Sequence, residues 1–155
     1  MKRFFPWILA AALAAGLLAP AAAQTHRGTR DEAVALVKKA GAYLQKNGVD
    51  KAVAAFNDQQ GEFVSGDLYV IMLSMNGDGV ALAHGQNAKI VGKNILQMQA
   101  GDSYPIKEFY KLAGSPAGHG WFSYKWPNSL THALEDKHTY VERFGDYLIA
   151  VGAYQ

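Results

Sequence analysis

Five histidines and no cysteine bound the chemistry open to this 155-residue chain. Without a thiol there is no cysteine nucleophile, no CxxC redox centre, no cysteine-ligated zinc and no c-type haem attachment. A histidine metal site needs three or four convergent ligands, often paired at i, i+2 or i, i+4. His26, His84 and His119 are isolated, His132 and His138 are six apart, and neither HExxH nor HxH occurs. No metal and no cofactor is therefore expected. The serines lack a nucleophile context, since GxSxG is absent. The glycine-rich stretch Gly114 to Gly120 lacks the Lys-Ser/Thr and the helix of a phosphate cradle. The residues predict a chain without catalysis.

Aromatic rings beside basic groups are better supplied. Tyr69, Trp121, Tyr124, Trp126 and Tyr140 fall on or beside predicted strands, interleaved with His84, Lys125 and Lys137. Most strand aromatics belong to cores. Yet an ammonium or imidazole enclosed by rings can also pair with a small carboxylate, strengthened by partial desolvation. Lys125 alternates with Ser123 and should face solvent. Lys137 opens its strand, which suits the mouth of a pocket.

These residues need elements to hold them. Residues 1–23 read as an export signal: Lys2 and Arg3, an apolar run from Trp7 to Leu18, then Ala21-Ala22-Ala23 before Gln24. The apolar run is short for a bilayer span, which takes roughly 20 residues; the alternative is an uncleaved anchor. Lys2 and Arg3 are the segment's only charges, so residues 24–155 carry 13 basic against 13 acidic groups. With them goes the case for a nucleic-acid surface. A cysteine-free exported domain must be held by its core alone, which fits the bacterial periplasm.

Thr29 and Glu32 stand in capping-box spacing, and Ala33, Leu36, Val37, Ala40, Tyr43 and Leu44 form one apolar stripe, stopped at Asn47-Gly48. A second, shorter helix is expected from Asp50 as N-cap through Phe56. The period then changes to two. Strands are predicted over Asp67–Ser74, Val80–His84, Gly120–Trp126, Lys137–Phe144 and Tyr147–Tyr154, the last pair joined by a tight Gly145-Asp146 turn. Residues 90–99 read as helical or irregular, and Pro105 as the first position of a helix through Leu112. On Gly120–Trp126, alternation puts Trp121, Ser123 and Lys125 on one face and Phe122, Tyr124 and Trp126 on the other. The fold class is α+β: a long N-terminal helix packed on a roughly five-stranded antiparallel sheet. A pocket is expected on the opposite face, under the segment between the second and third strands.

The ordered motifs A-x-x-L-V-x-K-A…Y-L-x-K-N-G, F-N-D…G-x-F-V-x-G-D-L-Y-V, A-H-G-x-N, G-K-N, G-W-F-S-Y-x-W-P-N and K-H-T-Y-V resemble the single Cache domain family, from about Asp31 to Tyr154. That family comprises extracytoplasmic sensor modules. The resemblance implies a PAS-like fold with a pocket roofed by loops and short helices, holding a small organic acid or another small metabolite. Its site positions map to Tyr69, His84, Trp121, Tyr124, Trp126 and Lys137, with Phe56 and Phe63 as further lining. Lys137 and His84 would be charge partners, Tyr69 and Tyr124 hydroxyl donors and Trp126 a wall; strict alternation turns Trp121 away from Tyr124. The chain ends at Gln155, without the second membrane helix or signalling region usual in receptors. The reading is a stand-alone periplasmic binding module in residues 24–155, presented to a membrane receptor or transporter. The alternatives are a structural or interaction module whose pocket is filled by side chains, and a small enzyme.

Overall fold

The computed structural model describes residues 26–155; the expected export signal, residues 1–23, lies outside them. Helix α1 spans Arg30–Asn47. Thr29 closes its start as predicted: the Glu32 amide donates to the Thr29 hydroxyl and Glu32 reaches back to the Thr29 amide. Gly48, with φ 82°, ends it and starts α2, Val49–Asn57. Asp50 therefore lies in the first turn of α2 and does not cap it, because the glycine makes the sharp corner two residues earlier.

The strands are β1 Val64–Ser65, β2 Leu68–Ser74, β3 Ala81–His84, β4 His119–Pro127, β5 Leu134–Phe144 and β6 Tyr147–Tyr154. Five match the sequence prediction, and the two-residue β1 is additional. All pairings are antiparallel in the order β1-β2-β6-β5-β4, with β3 also on β2. The Gly145-Asp146 turn joins β5 to β6 as a hairpin. Residues 85–104 are largely turns with one short 3-10 turn, Ala88–Ile90, and Pro105 opens α3, Pro105–Ala113.

The sheet separates two cores. On one face α1 and α2 bury Ala33, Val37, Ala40 and Phe56 against Val70, Met72, Ile149 and Val151. Gly41 makes the close approach possible, since a Cβ there would lie 2.1 Å from the Phe144 ring. On the other face Ile95, Ile106 and Phe109, from the 85–104 segment and α3, cover Ile71, Leu73, Tyr124, Val141 and Leu148. Among the described residues no helix is long and apolar enough to cross a membrane.

Candidate functional site

Strand alternation brings Tyr69 and Ile71 of β2, Lys137 and Thr139 of β5, Gly152 and Tyr154 of β6 and Tyr124 and Trp126 of β4 to one face. Over it, in the predicted place, the 85–104 segment and α3 close an apolar cavity. Ile90, Ile95, Met98, Ile106 and Phe109 form its roof, and Tyr69, Ile71, His84, Tyr124 and Trp126 its floor. The cavity volume is about 20 Å³, room for about one water molecule. Beyond Tyr69, His84 and Trp126 lies a more open cleft of about 270 Å³, bordered also by Gln86, Asn87 and Ser129. The same three side chains thus divide an enclosed apolar chamber from a more open one bordered by polar groups.

The dividing wall is polar but uncharged. His84 packs against Tyr69 with ring centroids 4.7 Å apart and planes tilted by 38°. Its Nδ1 accepts the backbone N–H groups of Asn87 (2.9 Å) and Gln86 (3.3 Å), so the neutral ring carries its proton on Nε2. Burial, and secondly the Lys137 charge, lower His84 to about 4, against a smaller opposing backbone hydrogen bond. Burial likewise pushes the Tyr69 and Tyr124 hydroxyls well above the ordinary tyrosine range. Tyr69 and His84 are therefore neutral hydrogen-bond donors at pH 7. In the cleft, Ser129 Oγ is buried without a hydrogen-bond partner among the described residues.

Lys137 does not open its strand as expected: β5 begins at Leu134, so Lys137 lies inside it and away from a pocket mouth. It is wholly buried, and its Nζ donates to the hydroxyls of Tyr69 (2.7 Å) and Tyr154 (3.2 Å). The same Nζ lies 4.0 and 4.7 Å from the two ring centroids. Burial holds it at about 7, well below the ordinary lysine value, although the Asp67 carboxylate pulls the other way. The missing side chain of Gly152 makes the path: a Cβ there would meet Lys137 Cε at 2.1 Å. Lys137 thus reaches from β5 across β6 to β2 and backs the cavity floor. It borders neither chamber.

Tyr69, His84, Tyr124 and Trp126 meet at the cavity. Trp121 does not. It packs with Tyr140 on the α1 face, centroids 5.2 Å apart, beneath the Arg30 guanidinium. Alternation along β4 already implied this, and the resemblance overrode it. Phe56 and Phe63 also belong to the α1 face, in an aromatic cluster with Tyr43. The roof residues Ile90, Ile95, Met98, Ile106 and Phe109 were missed individually, because an irregular segment has no period that tells inward from outward. Asn87 was visible as the last position of A-H-G-x-N; nothing in the sequence marked Ser129.

The family model for the Cache domain matches residues 35–155. The chain belongs to the Cache domain family. A sequence comparison with curated proteins found no match. Solved Cache-like folds are similar to this one. A methyl-accepting chemotaxis protein from Vibrio parahaemolyticus superposes with a TM-score of 0.65 at 18% identity, over 80% of this chain and 86% of that one. The periplasmic sensor domain of a chemotaxis protein gives 0.60 at 17%, over 80% and 88%. A Cache chemosensory domain described for carboxylic acid recognition gives 0.59 at 20%, over 80% and 86%. At such identities the likeness is one of fold: helix α1 on one face of the sheet, roof segment on the other.

Proposed function

We propose that this Cache domain is a periplasmic sensing module that binds a small organic acid without transforming it, exported through residues 1–23. The observation that carries the reading is the shared wall: Tyr69, His84 and Trp126 border both an apolar cavity and a polar cleft. A carboxylate at this wall meets neutral donors, the Tyr69 hydroxyl and His84 Nε2–H, in a partly dehydrated setting where hydrogen bonds to charge are strong. Lys137 acts from behind, holding the Tyr69 hydroxyl in place by donating to its Oη. The unpartnered Ser129 hydroxyl adds a further donor at the cleft. The ligand's hydrocarbon end would turn toward the roof. A Cache chemosensory domain described for carboxylic acid recognition supports the ligand class, and a membrane receptor or transporter is the partner such a module would serve.

The 20 Å³ cavity favours one competing reading, a module whose pocket is filled by its own side chains. A thermal-shift screen against small mono- and dicarboxylic acids separates the two, since ligand at 100 times its dissociation constant adds about 2.7 kcal/mol. Calorimetry then tests the wall. Tyr69→Phe should weaken binding of the best acid on the order of 10- to 100-fold, as loss of a hydrogen bond to charge predicts. Trp121→Phe, on the other face, should leave it unchanged. No stabilisation by any acid would leave the filled module standing; a loss confined to Trp121→Phe would put the ligand on the wrong side of the sheet.

A further inference from the structure

We propose that β4 is a pairing edge for a second copy of this chain, two β4 strands meeting antiparallel about a two-fold axis at Ser123. The strand ends the sheet, with β5 on one side and no strand on the other among the described residues. Which of its backbone groups face outward follows from the ladder. The β4–β5 register pairs His119 with Glu142 through Pro127 with Leu134. The flanking contacts, Arg143 N–H to Gly118 O and Asn128 N–H to Ala133 O, are hydrogen-bonded positions of the same ladder. Because such positions alternate, the even-numbered residues of β4 bond to β5. His119, Trp121, Ser123, Lys125 and Pro127 turn their backbone groups to the open side. Pro127 agrees independently: the one residue without an N–H falls where a strand proline is tolerated.

An open nine-residue edge invites pairing unless charges or bulges block it, and the side chains here suit a copy of themselves. A two-fold axis at Ser123 sets Trp121 opposite Lys125 of the second copy and Phe122 opposite Tyr124. Gly120 then lies opposite Trp126, with no side chain to oppose its indole. On one face the ammonium of Lys125, which the protomer pairs with Asp136 at 2.9 Å, comes beside an indole that Arg30 already covers, a setting in which it can add a cation–π contact. On the other face the aromatic pairs are of the kind that stabilise antiparallel neighbours. Trp121, Phe122 and Trp126 remain only half-buried in the protomer, so pairing removes large apolar surface from water. The outward groups supply about eight interchain backbone hydrogen bonds, and the missing Pro127 N–H faces the His119 carbonyl at the fringe, where water replaces it. Shifting the axis to Phe122 or Tyr124 shortens the paired stretch and breaks the Trp121–Lys125 match. Tyr124 and Trp126 also line the candidate cavity, so the pairing would place the two sites on one continuous sheet.

Sedimentation equilibrium on protein recovered after export should show a reversible dimer, and Ser123→Pro should raise its dissociation constant at least 10-fold. Ser123→Pro spares the β4–β5 ladder, which does not use the Ser123 N–H; it also removes the Ser123 Oγ–His138 Nδ1 hydrogen bond (2.7 Å), so Ser123→Ala, which removes only that bond, should leave the dissociation constant unchanged. Hydrogen exchange on the unmutated protein gives an independent reading: the Trp121, Ser123 and Lys125 amides should gain protection as concentration rises. The lack of native cysteine permits a third arm. Ser123→Cys should form a disulfide dimer on mild oxidation, since hydrogen-bonded antiparallel partners have Cα atoms about 5.5 Å apart, whereas Ala35→Cys on exposed α1 should not. A monomer throughout, unprotected odd-numbered amides in a dimer, or cross-linking through Ala35→Cys alone would each overturn the proposal.

Discussion

At the scale of single residues, two buried bases govern the site and stability together. Lys137 is held near pH 7 in the fold, whereas an unfolded lysine titrates at roughly 10.4. Between those values the unfolded chain binds a proton that the native chain lacks, so stability should rise with pH, by up to about 1.4 kcal/mol per unit. The buried tyrosine hydroxyls, raised in the fold, reverse the trend above about pH 10. Urea unfolding at pH 7, 8 and 9 should therefore show a rising slope in the wild type and a flat one in Lys137→Met; equal slopes would mean that the amine is hydrated. His84 acts in a lower window. Its folded value of about 4 makes its contribution complete above about 6.5 and progressively lost as pH falls toward 4. His84→Leu should abolish that loss between pH 6.5 and 4.5. At pH 7 it should cost about 1–3 kcal/mol, because the Gln86 and Asn87 amides lose their acceptor. Chemical denaturation across that range gives both answers. The sequence showed that Lys137 stands among aromatic residues, but not that it lies inside β5 and is buried. That required the neighbouring strands.

At the scale of elements, β5 and β6 fit closely at Gly152. Gly152→Ala would set a methyl group against Lys137 Cε and Thr139 Oγ1, an overpacking that costs about 1–3 kcal/mol. Shortening the side chain that crosses it should relieve part of this. The Gly152→Ala/Lys137→Ala double variant should therefore be more stable than the two single changes sum to, as a double-mutant cycle by thermal unfolding would report. Additivity would show that Lys137 takes another path. The helices and strands themselves were legible. The capping box at Thr29, the Asn47-Gly48 stop, Pro105 at a helix start and the Gly145-Asp146 turn are local signals, and local backbone chemistry suffices for them. The misjudged start of α2 is also local: Gly48 turns the chain before Asp50 can cap it.

At the scale of the molecule, export predicts a specific product. Intact-mass measurement on protein from the periplasm should give a chain beginning at Gln24, and a mass that retains residues 1–23 in the membrane fraction would make that segment an anchor. The order of the three α-helices and the five longer strands, the α+β class and the faces of β4 were legible in the amino-acid sequence alone, because periodicity and caps act between residues a few positions apart; the two-residue β1 was not. Tertiary structure decided the rest. It set Lys137 across Gly152 to Tyr69, enclosed the 20 Å³ cavity beneath an aperiodic roof and left β4 as an open edge. Each depends on strand order and on contacts between residues far apart in the chain, for which a linear pattern carries no signal.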